Sequence, residues 1–223
     1  MRLSQADHAL VSEAIAAAEG ATDGEIVTVV AETSDAYHDV ALHWAVLAML
    51  LVPGVLALVP QGWADRGLSL FLGWNAEGQR GLMMLLLFAI LATVFLAVRL
   101  LLASMRLRMA LTPGSTRTRR VHRKAVQLFR STCERKTRGR TGVLIYLSLA
   151  EHRAEIVADE AIHRQVDPDV WGEAMAVLVT HAREAQVAQG MAEAVHLVGE
   201  VLTRILPRSA GDTNELCDRL IEL

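Results

Sequence analysis

Hydrophobic positions recur along this chain in three patterns. The first is a pair of long apolar runs, residues 41–60 and 81–103. No formally charged side chain lies between His43 and Pro60, nor between Gly81 and Val98. Each run approaches the ~20 residues that a helix needs to cross a bilayer core. Residues 61–80 between them carry Asp65, Arg66, Glu77 and Arg80 together with Trp63, Phe71 and Trp74, a short wet loop with interfacial aromatics. The pair reads as a transmembrane hairpin. Pro53-Gly54 predicts a kink in its first span, because proline removes a helix hydrogen bond.

The second pattern is short, continuous and β-branched. Glu-Ile-Val-Thr-Val-Val-Ala at 25–31 predicts a strand buried on both faces. Such a strand needs partners, and the chain enters the first apolar run soon after it. The partners must therefore come from beyond the hairpin, so the hairpin interrupts a domain rather than preceding one. Residues 142–149 predict a second buried strand. Residues 153–158 predict a third, with Ala154, Ile156 and Ala158 alternating against Arg153, Glu155 and Val157. The turn Ala150-Glu151-His152 joins these two as a β-hairpin.

The third pattern is a spacing of three and four. Ser4, with Asp7 three residues on, resembles a capping box, and Leu10, Val11, Ala14, Ile15 and Ala18 share a face over residues 4–19. Gly20 is the stop. After Leu111-Thr112-Pro113-Gly114 breaks the pattern, a helix is predicted from Ser115, with Val121, Ala125, Leu128 and Phe129 on one face. Asp167-Pro168 opens another helix, whose stripe is Val170, Trp171, Ala174, Leu178 and Ala182. Gly190 is read as the break before a further helix, striped by Ala194, Val195, Val198, Val201, Leu202 and Ile205 and ended by Pro207. A short terminal helix is expected over 213–222. The order of elements predicts an α/β protein with a small mixed sheet covered by helices. Residues 1–36 and 111–223 form the two parts of its domain, and residues 37–110 form the hairpin. Two spans return the chain to its starting side, which lets the parts meet.

Charge gives the hairpin a direction. Arg99, Arg106, Arg108, Arg117, Arg119, Arg120, Arg123 and Lys124 follow the second span with no acid before Glu134, whereas the inter-span loop has two arginines offset by two acids. The positive-inside rule then places both termini in the cytoplasm. Arg106, Arg108, Arg117, Arg119, Arg120, Arg123 and Lys124 are candidate contacts to anionic lipid headgroups, each adding about 1 kcal/mol near a charged surface. The plain alternative is that they solvate the helix and obey topology. A net charge of −3 over 223 residues, without aromatic interleaving or a binding motif, argues against a nucleic-acid partner. Cys133 and Cys217 form no C-x-x-C pattern and read as free thiols. The polar N-terminus reads as the start of a helix, not as a signal peptide.

Several segments, in order, resemble the TPM domain family: Glu-Ile-Val-Thr-Val-Val at 25–30, Arg-Thr-Gly-Val-Leu-Ile-Tyr-Leu-Ser at 140–148, Glu-Ile-Val-Ala-Asp-Glu-Ala-Ile at 155–162, Val-Trp at 170–171 and Gly-Asp-Thr-Asn-Glu-Leu at 211–216. The whole chain is similar to bacterial TPM-domain membrane proteins with a hydrophobic hairpin after the first strand. It departs from the pattern at Ala161, where the family commonly has glycine, and at Cys217, where it commonly has proline. The resemblance implies an α/β/α sandwich, here in the inner membrane of a bacterium. It implies activity less sharply, since members are reported as acid phosphatases, calcium binders and auxiliaries of membrane complexes.

Two functions are therefore expected to compete. One is a binding or auxiliary module, partnered by the lipid bilayer and by another membrane protein. The other is a divalent-metal-dependent, acid-phosphatase-like hydrolase. Its candidate metal ligands are Glu25 at the start of one strand and Asp159 and Glu160 at the end of another. Converging carboxylates suit Ca²⁺ or Mg²⁺, and the metal would polarise a phosphoryl group. Arg140 is the candidate phosphate contact. The bland reading has Asp159 and Glu160 ending a strand and capping a turn, Glu25 pairing with an arginine, and Asp212, Asn214, Glu215 and Asp218 capping the last helix. There is no Gly-rich phosphate loop, no G-x-S-x-G and no His/Cys metal spacing. Tyr146 and Trp171 are expected in the core.

Overall fold

The computed structural model describes residues 3–60, 62–63, 66, 80–133, 141–209, 216 and 219–223. Within them the elements run α1 (Gln5–Glu19), β1 (Glu25–Ala31), α2 (His38–Leu58), α3 (Arg80–Leu101), α4 (Met105–Ala110), α5 (Gly114–Thr132), β2 (Gly142–Ser148), β3 (Arg153–Ala158), α6 (Glu160–His163), a 3₁₀ turn (Pro168–Trp171), α7 (Gly172–Arg183), α8 (Val187–Ile205) and β4 (Leu220–Glu222). The chain divides into two compact units, residues 1–35 with 113–223, and residues 36–112.

In the first unit every residue of β1 is buried, as its almost continuously apolar run predicts. β1 lies inside a four-stranded mixed sheet of order β3-β2-β1-β4. It pairs in parallel with β2, from Glu25 opposite Gly142 to Ala31 opposite Ser148, and in parallel with β4, from Thr28 opposite Leu220 to Val30 opposite Glu222. Both partners follow the apolar insertion in sequence. β3 returns antiparallel along β2.

Helices cover both faces of this sheet. On one face Ile26, Val30, Val143, Ile145 and Leu147 pack against α1, α7 and α8 through residues such as Val11, Ile15, Leu178, Met191, Val198 and Leu202. On the other, Val27, Val29, Ala31, Leu144 and Tyr146 meet Val121, Ala125 and Phe129 of α5, with Cys133 just beyond it. Each fully buried aliphatic side chain contributes roughly 1.5–3 kcal/mol. Tyr146 and Trp171 lie in the core, as expected. Cys133 is buried, and Cys217 falls outside the described residues.

Two expectations need correction. The segment read as a terminal helix ends instead in strand β4. Its neighbours lock it in place: Leu223 N–H donates to Val30 O (2.9 Å) and Glu32 N–H to Leu223 O (3.1 Å). Gly190 lies within α8, and the break comes earlier, at Ala185, whose φ is 61°. Glycine is needed at 190 for another reason. A Cβ there would lie 2.5 Å from Cβ of His181 on α7, so the two helices approach closely at this point.

The second unit holds α2, α3 and α4. Both α2, over His38–Leu58, and the Gly81–Leu101 stretch of α3 are long and apolar enough to cross a membrane. They expose large apolar side chains along their length, including Leu50, Leu51, Val55 and Leu58 on α2 and Met84, Leu85, Phe88 and Leu100 on α3. An exposed apolar surface of this extent marks a protein or membrane interaction face. Pro53 lies inside α2. In α3 the hydroxyl of Thr93 donates to Ala89 O at 2.7 Å, so it stays satisfied without water.

Candidate functional site

The predicted carboxylates fall at the sheet end where β1 and β2 begin. β3 runs against β2, so its exit returns to the entry of β1. Glu25 and Asp159 are each about 5% exposed there. The backbone explains both. Asp159 N–H donates to Gly142 O (2.9 Å), and its Oδ2 accepts from Gly142 N–H (3.1 Å). The side chain thus closes the last rung of the β2–β3 ladder. Glu25 Oε2 accepts from Leu216 N–H at 3.1 Å, which ties the approach to β4 onto the start of β1. Glu160 faces solvent and pairs with Arg164 one turn along.

Among the described residues no group of three or more His, Cys, Asp or Glu side chains is placed to hold a metal. Arg140 lies outside the described residues. The location also differs from that of a ligand cleft in an open α/β sheet. Such clefts form at the carboxyl ends of parallel strands, and Glu25 stands at the amino end of β1. Asp159 and Glu25 thus accept from backbone N–H groups at this sheet end, and Glu160 forms an exposed ion pair. Ala161 sits in helical backbone within α6, with no positive φ that would call for glycine.

The carboxyl ends of β1 and β2 hold a buried polar group that sequence reasoning missed. Glu151, about 4% exposed, accepts from Ser34 N–H at 2.9 Å through Oε1 and from the Ser148 hydroxyl through Oε2. The hydroxyls of Ser34 and Tyr146 are hydrogen-bonded at 2.9 Å. Burial pushes the Tyr146 phenol above its ordinary range, against the hydrogen bond from Ser34, and the nearby Glu151 charge adds to the rise. Locally Glu151 reads as an exposed turn residue. Only the strand register reveals that it sits under the segment that leaves β1.

The basic residues after the second span divide by environment. Arg108 donates to Ala36 O, to Ala103 O (3.0 Å) and toward His38 Nδ1 (3.2 Å), so it is engaged inside the apolar unit. Arg106 is exposed on α4. On α5, Arg120 pairs with Asp35 at 3.0 Å. Arg117 and Lys124 are half-buried, and Arg119 and Arg123 are exposed. Arg119 and Arg123 line an open groove of about 1170 Å³ with His122, Val126, Arg130 and, from β3, Glu155. His122 Nδ1 and Glu155 Oε1 meet across it at 2.7 Å. Arg130 belongs to this cationic row and was not among the sequence candidates, because the row follows the outward face of α5 and not the distance from the apolar span.

No family model and no curated protein matches the chain. Among solved structures it is similar to the NMR structure of BA42 protein from the psychrophilic bacterium Bizionia argentinensis. The TM-score is 0.57 at 15% identity, over 100% of this chain and 97% of that one. Likeness at that identity concerns the fold alone.

Proposed function

We propose that this protein is a membrane-anchored binding module: a TPM-like α/β/α domain, held at the cytoplasmic face of a bacterial inner membrane, that serves another membrane protein. The observation that carries the reading is the parallel pairing of β1 with β2 across an apolar two-helix insertion. An anchor placed at a terminus would leave a domain free on a tether. An anchor inserted between two paired strands joins the domain at two points, after β1 and before α5, which suits presentation of a fixed surface. The residues Glu-Ile-Val-Thr-Val-Val and Glu-Ile-Val-Ala-Asp-Glu that resemble the TPM family fall on β1 and on β3 with its exit. The arginine-rich exit from the second span favours the cytoplasmic side. Metal-dependent phosphoester hydrolysis is the weaker reading, since Glu25 and Asp159 both accept from backbone N–H groups.

The test has two arms. Single cysteines placed in the 61–80 loop of the membrane-embedded protein are expected to label from the periplasmic side, with cysteines in α1 labelling only after permeabilisation; the reverse pattern overturns the topology. The purified protein is expected to show no phosphomonoester hydrolysis dependent on Ca²⁺ or Mg²⁺. Hydrolysis abolished by Asp159→Ala in a folded variant would restore the enzyme reading.

A further inference from the structure

The groove beside α5 has a second feature that its charges alone do not reveal. β3 is the edge of the sheet. In its antiparallel register with β2, Asp159 N–H bonds to Gly142 O, and every second residue along the ladder repeats this inward direction. The alternate residues Ala154, Ile156 and Ala158 therefore turn their backbone N–H and C=O groups away from β2. No strand among the described residues pairs with that side. An edge of this kind is a template for another strand.

The two sides of the edge differ in chemistry. Arg153, Glu155 and Val157 point toward α5, where Arg119, Arg123 and Arg130 line the groove. Among the described lining residues only Glu155 is acidic, and it is paired with His122. Ala154, Ile156 and Ala158 point to the opposite face, where partly buried Met175 of α7 belongs to the same apolar cluster. Side chains of an added strand would alternate between these two surroundings.

From this we propose that β3 and the α5 groove receive an extended segment of a partner protein in which acidic and apolar residues alternate. The segment adds to the sheet as a fifth strand. Its backbone bonds to Ala154, Ile156 and Ala158, its acidic side chains face the arginines, and its apolar side chains cover the α7 side. Recognition by strand addition takes affinity from the backbone and specificity from alternate side chains. The cationic row supports an extended occupant over a single anion. The twelve helical residues from Arg119 to Arg130 span about 16 Å, the length of about five residues of strand. The row lines a concave groove beside a strand edge, where a peptide fits better than a flat bilayer does. This inference rests on the reading of the protein as a binding module and names the chemistry of its partner.

The experiment uses the full chain in phosphatidylcholine nanodiscs and a fluorescent peptide of alternating glutamate and valine, about ten residues long. Saturable binding is expected by anisotropy. A lysine–valine peptide of the same length should not bind, and N-methylation at alternate backbone positions of the glutamate peptide should abolish binding. Arg119→Glu with Arg123→Glu is expected to weaken binding about tenfold or more, and Arg130→Glu to weaken it less. All these sites are exposed, so the thermal transition should not move. Equal binding of both peptides, indifference to N-methylation, or unchanged affinity in the double variant would overturn the proposal. So would a dimer built through β3, seen as a doubled mass in nanodiscs, or arginine-dependent binding to phosphatidylglycerol membranes without peptide binding. If the peptide fails while photo-cross-linkers on another face of the domain capture one defined membrane partner, the groove is wrong and the module reading stands.

Discussion

A buried carboxylate such as Glu151 is costly unless its oxygens are matched, and here each has a partner: the Ser34 amide for one and the Ser148 hydroxyl for the other. Removing the acceptor leaves those donors stranded at roughly 1–3 kcal/mol each. Glu151→Ala is therefore expected to lower unfolding stability by about 2–4 kcal/mol, and Glu151→Gln, which keeps an acceptor, by less. Chemical denaturation of the detergent-solubilised protein measures both, and an alanine variant as stable as wild type would remove Glu151 from this role. Tyr146 gives a prediction with a pH sign. Burial favours its neutral phenol, so its pKa is higher folded than unfolded. Its contribution is then complete below the ordinary value of 10.0 and is lost as pH rises through the raised folded value. Wild type should exceed Tyr146→Phe by about 1 kcal/mol near neutrality, from the bond to Ser34. That gap should shrink at pH above about 10. A gap of constant size through the alkaline range would show that the phenol does not titrate with folding. Neither residue advertised its role in the sequence. Tyr146 read as core, Glu151 read as turn, and only the β1–β2 register joins them. Glu25 and Asp159 show the converse: their positions were legible, but their backbone partners belong to distant segments.

The elements themselves were legible wherever a period of two or three and a half residues persisted. α1 was read with its capping box, in which Ser4 and Asp7 cap each other's backbone N–H groups. β1, β2 and β3 were read nearly residue for residue, because continuous β-branched runs between turns have few alternatives. Failures came where tertiary contact decides. β4 is three residues long and exists because β1 offers it a parallel edge, so no local pattern announces it. Gly190 looked like punctuation, whereas it is a contact point between helices. Helix propensity alone would favour Gly190→Ala by about 1 kcal/mol. The new Cβ would lie 2.5 Å from the His181 Cβ, an atom next to the backbone that cannot swing aside, so α7 and α8 must separate. Overpacking of that kind costs about 1–3 kcal/mol. The clash is expected to win, with Gly190→Ala melting below wild type. A variant that melts higher would mean that the helices part cheaply.

At the scale of the whole molecule, the apolar hairpin is an insertion whose removal the domain should survive. All strand pairs of the sheet lie in residues 1–35 and 113–223, and both of its hydrophobic clusters are built from the same residues. The two ends of the gap are already held near each other. Ser34 is bonded to Glu151 and Tyr146, and Asp35 to Arg120 on the second turn of α5. Because the flanks are bound in this way, a short linker has little entropy left to overcome, and the cost of closing a loop rises only slowly with length. Replacing residues 36–112 by about six glycine and serine residues should give a protein that stays in solution without detergent and keeps a cooperative thermal transition. Asp35→Ala in that shortened chain should lower stability by no more than about 1 kcal/mol, since the Arg120 pair is partly exposed. Glu151→Ala should cost it as much as in the full chain, because every partner of Glu151 named above is retained. Aggregation of the shortened chain, or loss of its transition, would mean that the sheet depends on the apolar helices for its folding. In that case the hairpin would be a structural part of the domain and not an anchor passed through it.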